Sequence, residues 1–320
     1  MGDVLVLGSL MTDLVARAPR MPLPGESLLG DDFGTFIGGK GCNQAIAAAR
    51  MGASVVLIGA VGGDAFGDAF FPLLEREHVD ARHVARLTEA GTGVASILVL
   101  TELGQNAIVA TPRANFALTR EMVAPAFAGR ATSSERTVFL TQCETSLESV
   151  EAGLRLARAH GMRTILNAAP IPRAPITHLL LLADLLVVNE TEASALAGMP
   201  VTSPADAPAT AERLLTLGPA EVVITLGAQG CLWSRAEPVG PTAPRHTLLP
   251  AIAVKQVDAT AAGDAFCGTL AAALAEGTAM LQALRLAGAA GALAATRMGA
   301  VPSLPTADEV QALLERAGTF

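Results

Sequence analysis

The chain has 320 residues, about half of them apolar (51%), and a formal charge of −8. That suffices for one substantial core and excludes an ordinary nucleic-acid binder, since the only lysines are Lys40 and Lys255, no basic run occurs and tyrosine is absent. No apolar run reaches the roughly 20 residues of a membrane span, the cysteines Cys42, Cys143, Cys231 and Cys267 form no C-x-x-C pair, and no basic region precedes the first strand-like run; a cytoplasmic protein with reduced thiols is expected.

Asp3 to Gly8 reads as a strand buried on both faces, as in a parallel sheet covered by helices, with Asp13 just beyond its carboxyl end. In open α/β sheets ligands bind at that edge, so Asp13 is a candidate contact for a polar ligand. Residues 17–37, rich in Pro and Gly between short apolar pieces, read as a small excursion of strands and turns. The run Gly38-Gly39-Lys40-Gly41-Cys42-Asn43-Gln44-Ala45 opens a helix that continues to Met51 and stops at Gly52. Gly34 to Lys40 imitates the start of a phosphate-binding P-loop, but Gly41 stands where a magnesium-binding Ser or Thr is needed, and that reading is rejected. Lys40 and Asn43 still offer a point charge and a two-way hydrogen-bonding amide to a small polar molecule.

Ser54 to Gly59 predicts a strand and Phe66 to Glu77 a helix, so the chain alternates as βα units do. Gly93 to Leu100 and Ala107 to Ala110 predict a hairpin turning around Leu103-Gly104-Gln105, and this second β-rich insertion is expected to pair with the first as a small sheet. Thr137 to Gln142 is a strand with Glu144 at its end, followed by a helix to His160 that Thr145 and Glu148 are expected to cap. Further strands fall at Arg163 to Asn167 and Asp184 to Val188; the latter feeds Asn189-Glu190-Thr191-Glu192, whose acids suit either a helix start or a hydrated Mg²⁺. Glu221 to Leu226, the turn Gly227 to Gly230 and an edge strand Cys231 to Ser234 come next, with loop-sized pieces at 200–210 and 236–246.

The last third carries the sharpest signal. Asp258-Ala259-Thr260-Ala261-Ala262-Gly263-Asp264 leads into an Ala/Leu-rich helix, and helices are expected at about 264–276, 279–297 and 306–317. Free N–H groups at such a helix start, with residues too small to block approach, favour a phosphate. Asp264 there is either an ordinary N-cap or a base that accepts a proton from a hydroxyl attacking phosphorus.

Together the Gly38–Ala45 and Asp258–Phe266 runs resemble the paired signatures of the ribokinase-like (PfkB) sugar kinases, in particular their ribokinase and deoxyribokinase branch, and the likeness extends over the whole chain. The resemblance implies a Rossmann-like three-layer α/β/α sandwich as a single domain over residues 1–320, with a β-sheet lid from insertions at about 11–37 and 91–111. It implies an ATP-dependent pentose kinase transferring the γ-phosphoryl of ATP to O5 of D-ribose or 2-deoxy-D-ribose. By position, Asp264 resembles the general base and the backbone of Ala261, Ala262, Gly263 and Asp264 the anion hole. Met11, Asp13, Gly39, Lys40, Gly41, Asn43 and Glu144 fall on the sugar side. Asn189, Thr225, Gly227, Gly230 and Gly263 fall on the nucleotide side, and Glu192 on the Mg²⁺ site. Asp258, Thr260, Ala294, Arg297, Gly299 and Ser303 are similar to the K⁺ site of ribokinases. Two positions depart: Met11 stands where ribokinases have Asn, and Arg113 where they tend to have Gly. A homodimer through the lid is expected, because two β insertions expose strand edges. The alternatives are another sugar or nucleoside kinase of the family, or a non-catalytic sensor on the same scaffold.

Overall fold

In the first strand of the computed structural model, Val4 and Val6 pack into one apolar cluster and Leu5 and Leu7 into a second, so alternate side chains supply both faces of the sheet. The structure describes residues 2–102, 105–130, 136–237 and 244–318. Its strands are β1 (Asp3–Leu7), β2 (Met11–Ala18), β3 (Asp32–Gly38), β4 (Ser54–Gly62), β5 (Val79–Leu87), β6 (Gly93–Leu100), β7 (Gln105–Thr111), β8 (Thr137–Gln142), β9 (Arg163–Asn167), β10 (Leu185–Asn189), β11 (Glu221–Thr225), β12 (Cys231–Arg235) and β13 (His246–Leu249). The helices are α1 (Lys40–Arg50), α2 (Ala65–Asp68), α3 (Phe70–Arg76), α4 (Arg120–Val123), α5 (Leu147–Ala159), α6 (Thr177–Leu180), α7 (Glu190–Ala197), α8 (Ala207–Leu215), α9 (Ala262–Ala275), α10 (Met280–Ala294) and α11 (Ala307–Arg316).

Among the described residues the large sheet runs β13-β12-β11-β10-β9-β8-β1-β4-β5, parallel from β11 to β5, with β12 and β13 added antiparallel. Helices α1, α9, α10 and α11 cover one face, and α5, α7 and α8 the other. This is the expected three-layer α/β/α sandwich. The two insertions pair as expected into a separate sheet, β3-β2-β6-β7, in which Met11 lies beside both Gly38 and Gly93. Its exposed side chains include Phe33, Phe36, Ile108 and Val109.

Some local expectations fail for identifiable reasons. The helix expected over 66–77 is divided into α2 and α3, and β5 follows it unannounced; as an edge strand carrying Asp80, Arg82, His83 and Arg86 it lacks the apolar run of a buried strand. The strand at Cys231 is not an edge, because β13 pairs outside it. Helix α5 is capped by Ser146, whose Oγ accepts from Ser149 N–H, whereas the Thr145 hydroxyl is buried without a partner. Leu103 and Gly104 of the expected hairpin turn, and residues 238–243 of the loop-sized piece, lie outside the described residues. Among the described residues no helix is long and apolar enough to cross a membrane, and the four cysteines are buried free thiols, Cys143 and Cys231 pushed up to about 12 by burial.

Candidate active site

The carboxyl ends of β1, β8, β9, β10 and β11 share one rim because those strands are parallel and in register, and the residues that close them are polar: Ser9, Gln142, Asn167, Asn189 and Thr225. Helix α1 starts over the same rim. Gly39 precedes it at φ +91°, and a Cβ there would lie 2.6 Å from Met11 N and 2.8 Å from Ser9 O. At Gly41 a Cβ would lie 2.3 Å from the Gly8 carbonyl carbon. These two glycines therefore let the helix start sit directly on the β1 exit. No side chain of Gly39 exists to cap α1, and Glu144 does it from across the rim: one carboxylate oxygen accepts from Lys40 N–H (3.1 Å) and from the Ser9 hydroxyl.

Opposite α1 stands α9. Its N-cap is Ala261 in the left-handed conformation at φ +59°, so Asp264 is not the cap; it is the third helical residue and is 6% exposed. The Asp264 oxygens accept from Asn43 Nδ2 and Gln44 Nε2, both at 2.9 Å. Gln44 is fixed in turn by Asn167 Oδ1 (3.0 Å) and Gln142 Nε2 (2.7 Å), and Asn167 by the Val187 carbonyl (3.0 Å). This buried amide chain orients the carboxylate. The N–H groups of Gly263 and Asp264 have no partner among the described residues, and a Cβ at Gly263 would meet no atom within 4 Å. Open N–H groups, the positive end of a long helix and a fixed carboxylate thus share one small space. Asn43 Oδ1 is buried there without a partner, an acceptor waiting for a donor.

Charge in this space is strongly coupled. Burial pushes the Asp13 carboxyl up to about 6, helped by the nearby carboxylates of Glu144 and Asp264. Asp13 Oδ2 would be 2.8 Å from a Cβ at Gly38, so glycine at 38 leaves the carboxylate its room. Burial pulls the Lys40 ammonium down, but the carboxylates of Asp264, Glu144 and Glu192 raise it more, and it stays charged. Burial holds Glu192 above the usual carboxylate range, and Asp264 adds to this against the opposing Asn189 N–H and Lys40.

On the other half of the rim, Asn189 and Glu192 form a reciprocal capping box at the start of α7 (2.8 and 2.9 Å), and Thr225 is the β11 neighbour of Asn189. Gly227 and Gly230 bound a short 3₁₀ turn beyond β11 at φ +53° and +102°. Beside α9, Asp258 Oδ1 accepts from Thr260 N–H and hydroxyl (3.0 and 2.7 Å) and Oδ2 from Gly299 N–H (3.0 Å), so the expected cation residues Asp258, Thr260 and Gly299 do meet. Ala294, Arg297 and Ser303 have other engagements: the Ala294 carbonyl accepts from Arg297 N–H, the Arg297 guanidinium pairs with Glu309, and the Ser303 hydroxyl bonds to the Ala300 carbonyl (2.7 Å). Ala295, one residue on, supplies the carbonyl that receives Val257 and Asp258 N–H. Two concavities, of about 560 and 550 Å³, lie elsewhere, against Phe71 and Arg86 at the β5 edge and against Met51 and Thr269 behind α9. Neither includes a residue of the rim.

Ser9, Gln44, Gln142, Asn167 and Asn115 were not foreseen as parts of the site. For Gln142 and Asn167 a signal exists, since each is an amide at the carboxyl end of a strand whose centre is apolar, Val138 to Leu140 and Ile165 to Leu166. The Arg113 guanidinium lies over Gly91 and donates to the Thr92 carbonyl (3.4 Å), and its φ of +45° is a conformation that favours glycine.

Residues 1–307 match the family model described as pfkB family carbohydrate kinase. The chain belongs to this family. It is 40% identical over 269 residues to a ribokinase of Mus musculus, covering 84% of this chain and 80% of that one. It is 33% identical over 271 residues to a deoxyribokinase of Salmonella typhi, covering 84% of each. The structure of Arabidopsis thaliana ribokinase complexed with ribose and ATP superposes with a TM-score of 0.87 at 27% identity, covering 98% of this chain and 99% of that one. The protein is thus a carbohydrate kinase, a phosphotransferase with a sugar hydroxyl as acceptor.

Proposed function

We propose that this kinase transfers the γ-phosphoryl of ATP to O5 of a pentose, D-ribose or 2-deoxy-D-ribose. The observation that carries the reading is the Asp264 carboxylate fixed beside the partnerless N–H groups of Gly263 and Asp264. Asp264 takes the proton of the sugar hydroxyl as its oxygen bonds to the γ-phosphorus and the bond from phosphorus to the ADP oxygen breaks. The backbone of Ala261 to Asp264 receives the negative charge of the transferring group, and Lys40 supplies a fixed positive charge nearby. The orphan Asn43 Oδ1, Asp13 and Glu144 accept from sugar hydroxyls, while Thr225 and the turn from Gly227 to Gly230 border the nucleotide.

Mg²⁺ would neutralise phosphate charge, and Glu192 fits it through water: one of its oxygens accepts from Asn189 N–H, the other is left to accept from a metal-bound water, and the carboxylate is half-buried on the rim. A K⁺ ion fits the Asp258 loop, which is strapped to Gly299 and leads directly into α9. Rates in K⁺ should exceed those in a large organic cation at fixed ionic strength, with no change in melting profile; equal rates would refute the cation. The second sheet acts as the lid, and its exposed apolar side chains, Phe36 and Ile108 on the Asp13 face and Phe33 and Val109 on the other, are what a second copy would cover in a homodimer, for which a monomer by sedimentation at micromolar concentration is the opposing result.

The choice of pentose rests on Met11. Residues 11 and 13 are two apart on β2 and share one side, so Met11 adjoins the same sugar as Asp13. A thioether accepts only weakly, and a hydroxyl buried against it loses about 1–3 kcal/mol, one to two powers of ten in affinity. A sugar lacking that hydroxyl loses nothing, so 2-deoxy-D-ribose should be used at least as well as D-ribose. The test is kcat/KM for both sugars on the natural protein and on Met11→Asn. A strong natural preference for ribose that Met11→Asn leaves unmoved would defeat the assignment.

A further inference from the structure

Leu10 is the residue at which the chain leaves the large sheet for the small one, after β1 and before β2, so neither ladder serves its backbone. Its N–H and C=O are nevertheless both paired. Asn115 Oδ1 accepts from Leu10 N–H at 2.9 Å, and Asn115 Nδ2 donates to the Leu10 carbonyl at 2.9 Å. The second amide hydrogen goes to the Pro112 carbonyl at 3.1 Å, where the small sheet returns after β7. Asn115 is fully buried, and its own carbonyl accepts from Ser146 N–H (3.3 Å), two residues after Glu144. At Gly93, the start of β6, a Cβ would sit 2.4 Å from Asn115 Nδ2, so glycine there makes space for the amide.

One side chain therefore touches three crossings between the two sheets: Leu10 into β2, Gly93 into β6 and Pro112 out of β7. A carboxamide is the group that can give and receive in one plane, as the pairing with a peptide unit demands. We propose that Asn115 is a positioning residue for the sugar: by holding Leu10 it sets where Met11 and Asp13 stand relative to Lys40, Asn43 and Asp264. It touches none of the reacting atoms. The inference rests on the reading that Met11 and Asp13 face the sugar.

Asn115→Ala leaves the Leu10 N–H and C=O without a partner, takes one of two donors from the Pro112 carbonyl, and frees Leu10 to shift. Small displacements at a positioned group are costly, so the KM for the pentose should rise about tenfold to a hundredfold, while the KM for ATP, bound at the β10 and β11 end, stays within about twofold. A residue that served stability alone would lower the melting temperature and the active fraction but leave the sugar KM of the remaining enzyme unchanged. Asn115→Asp keeps the shape and the acceptor but turns an oxygen toward two carbonyls, so it should behave like the alanine variant. A sugar KM within about twofold of wild type in folded Asn115→Ala overturns the proposal. If neither variant folds, Gly93→Ala, which presses on the same Nδ2, decides in the same assay: a raised sugar KM supports the clamp, and an unchanged one overturns it. Asp13→Asn run alongside separates the two levels. If it too leaves the sugar KM unchanged, the sugar-side reading falls and the proposal with it; if it raises KM and the Asn115 and Gly93 variants do not, only the clamp falls.

Discussion

Asp264→Asn should bind pentose and ATP nearly as the natural protein does and turn over about 10²-fold or more slowly, the scale of a lost general base. The amide network explains why this substitution is informative. A new amide NH₂ at 264 must face either Asn43 or Gln44, both of which now donate to the carboxylate. Gln44 cannot turn, because its Oε1 already accepts from Gln142. Asn43 can, because its Oδ1 has no partner within the protein: turned over, it accepts from the new amide and presents Nδ2 to the sugar, whose hydroxyl oxygen can accept where its hydrogen was donated before. The variant thus keeps a satisfied network, and its melting temperature should change little. Asp264→Ala is the harsher control, since it strands both donors in a buried site. Single-turnover measurements with saturating sugar and ATP isolate the chemical step, and near-normal rates in a folded Asp264→Asn protein would remove this residue from the mechanism.

The two ends of this site differ in how much of them the sequence shows. The run from Gly38 to Ala45 and the run from Asp258 to Phe266 each combine small residues with one charged group at a helix start, a local pattern, and the structure sets both helix starts against one rim. The layer order was equally readable, because strands buried on both faces betray themselves by continuous apolar runs such as Val4 to Leu7. What escaped is what depends on partners far along the chain. Glu144 was placed on the rim, but that it caps α1 through Lys40 N–H is a contact across 104 positions. The Gln44, Gln142 and Asn167 chain looks, residue by residue, like ordinary strand and helix polar positions, and its meaning appears only when two strand ends and a helix start converge. Edge strands fail for the opposite reason: β5 and β13 bury too little to show an apolar run at all. Asp264 itself could be read as an N-cap until the φ of Ala261 moved the helix start three residues back.

Asp13→Asn should make the protein more stable at neutral pH while weakening its use of the sugar. In the folded chain the Asp13 carboxyl titrates at about 6 instead of its ordinary 3.8, so the folded state binds the proton more tightly than the unfolded one. The stability this contributes is fully present below pH 3.8 and is lost as the pH rises through about 6; above that the ionised carboxylate, crowded by Glu144 and Asp264, is a cost. The shift corresponds to at most about 3 kcal/mol, and for a half-buried group screened by solvent about 1–2 kcal/mol is expected. Asparagine removes that charge, so the gain in denaturant midpoint should be full at pH 8, shrink as the pH falls through 6 and vanish only below about 3.8. Function moves the other way. An ionised Asp13 accepts from two hydroxyls where the amide accepts at one atom only, and a buried sugar hydroxyl left unpaired costs about one to two powers of ten in kcat/KM. In the natural protein kcat/KM for the sugar should fall as the pH drops through 6, when Asp13 takes up its proton, and that limb should be missing from the variant's profile. A variant that is less stable at pH 8, or one that keeps the limb near pH 6, would show that Asp13 is neither strained by its neighbours nor held in place for the sugar.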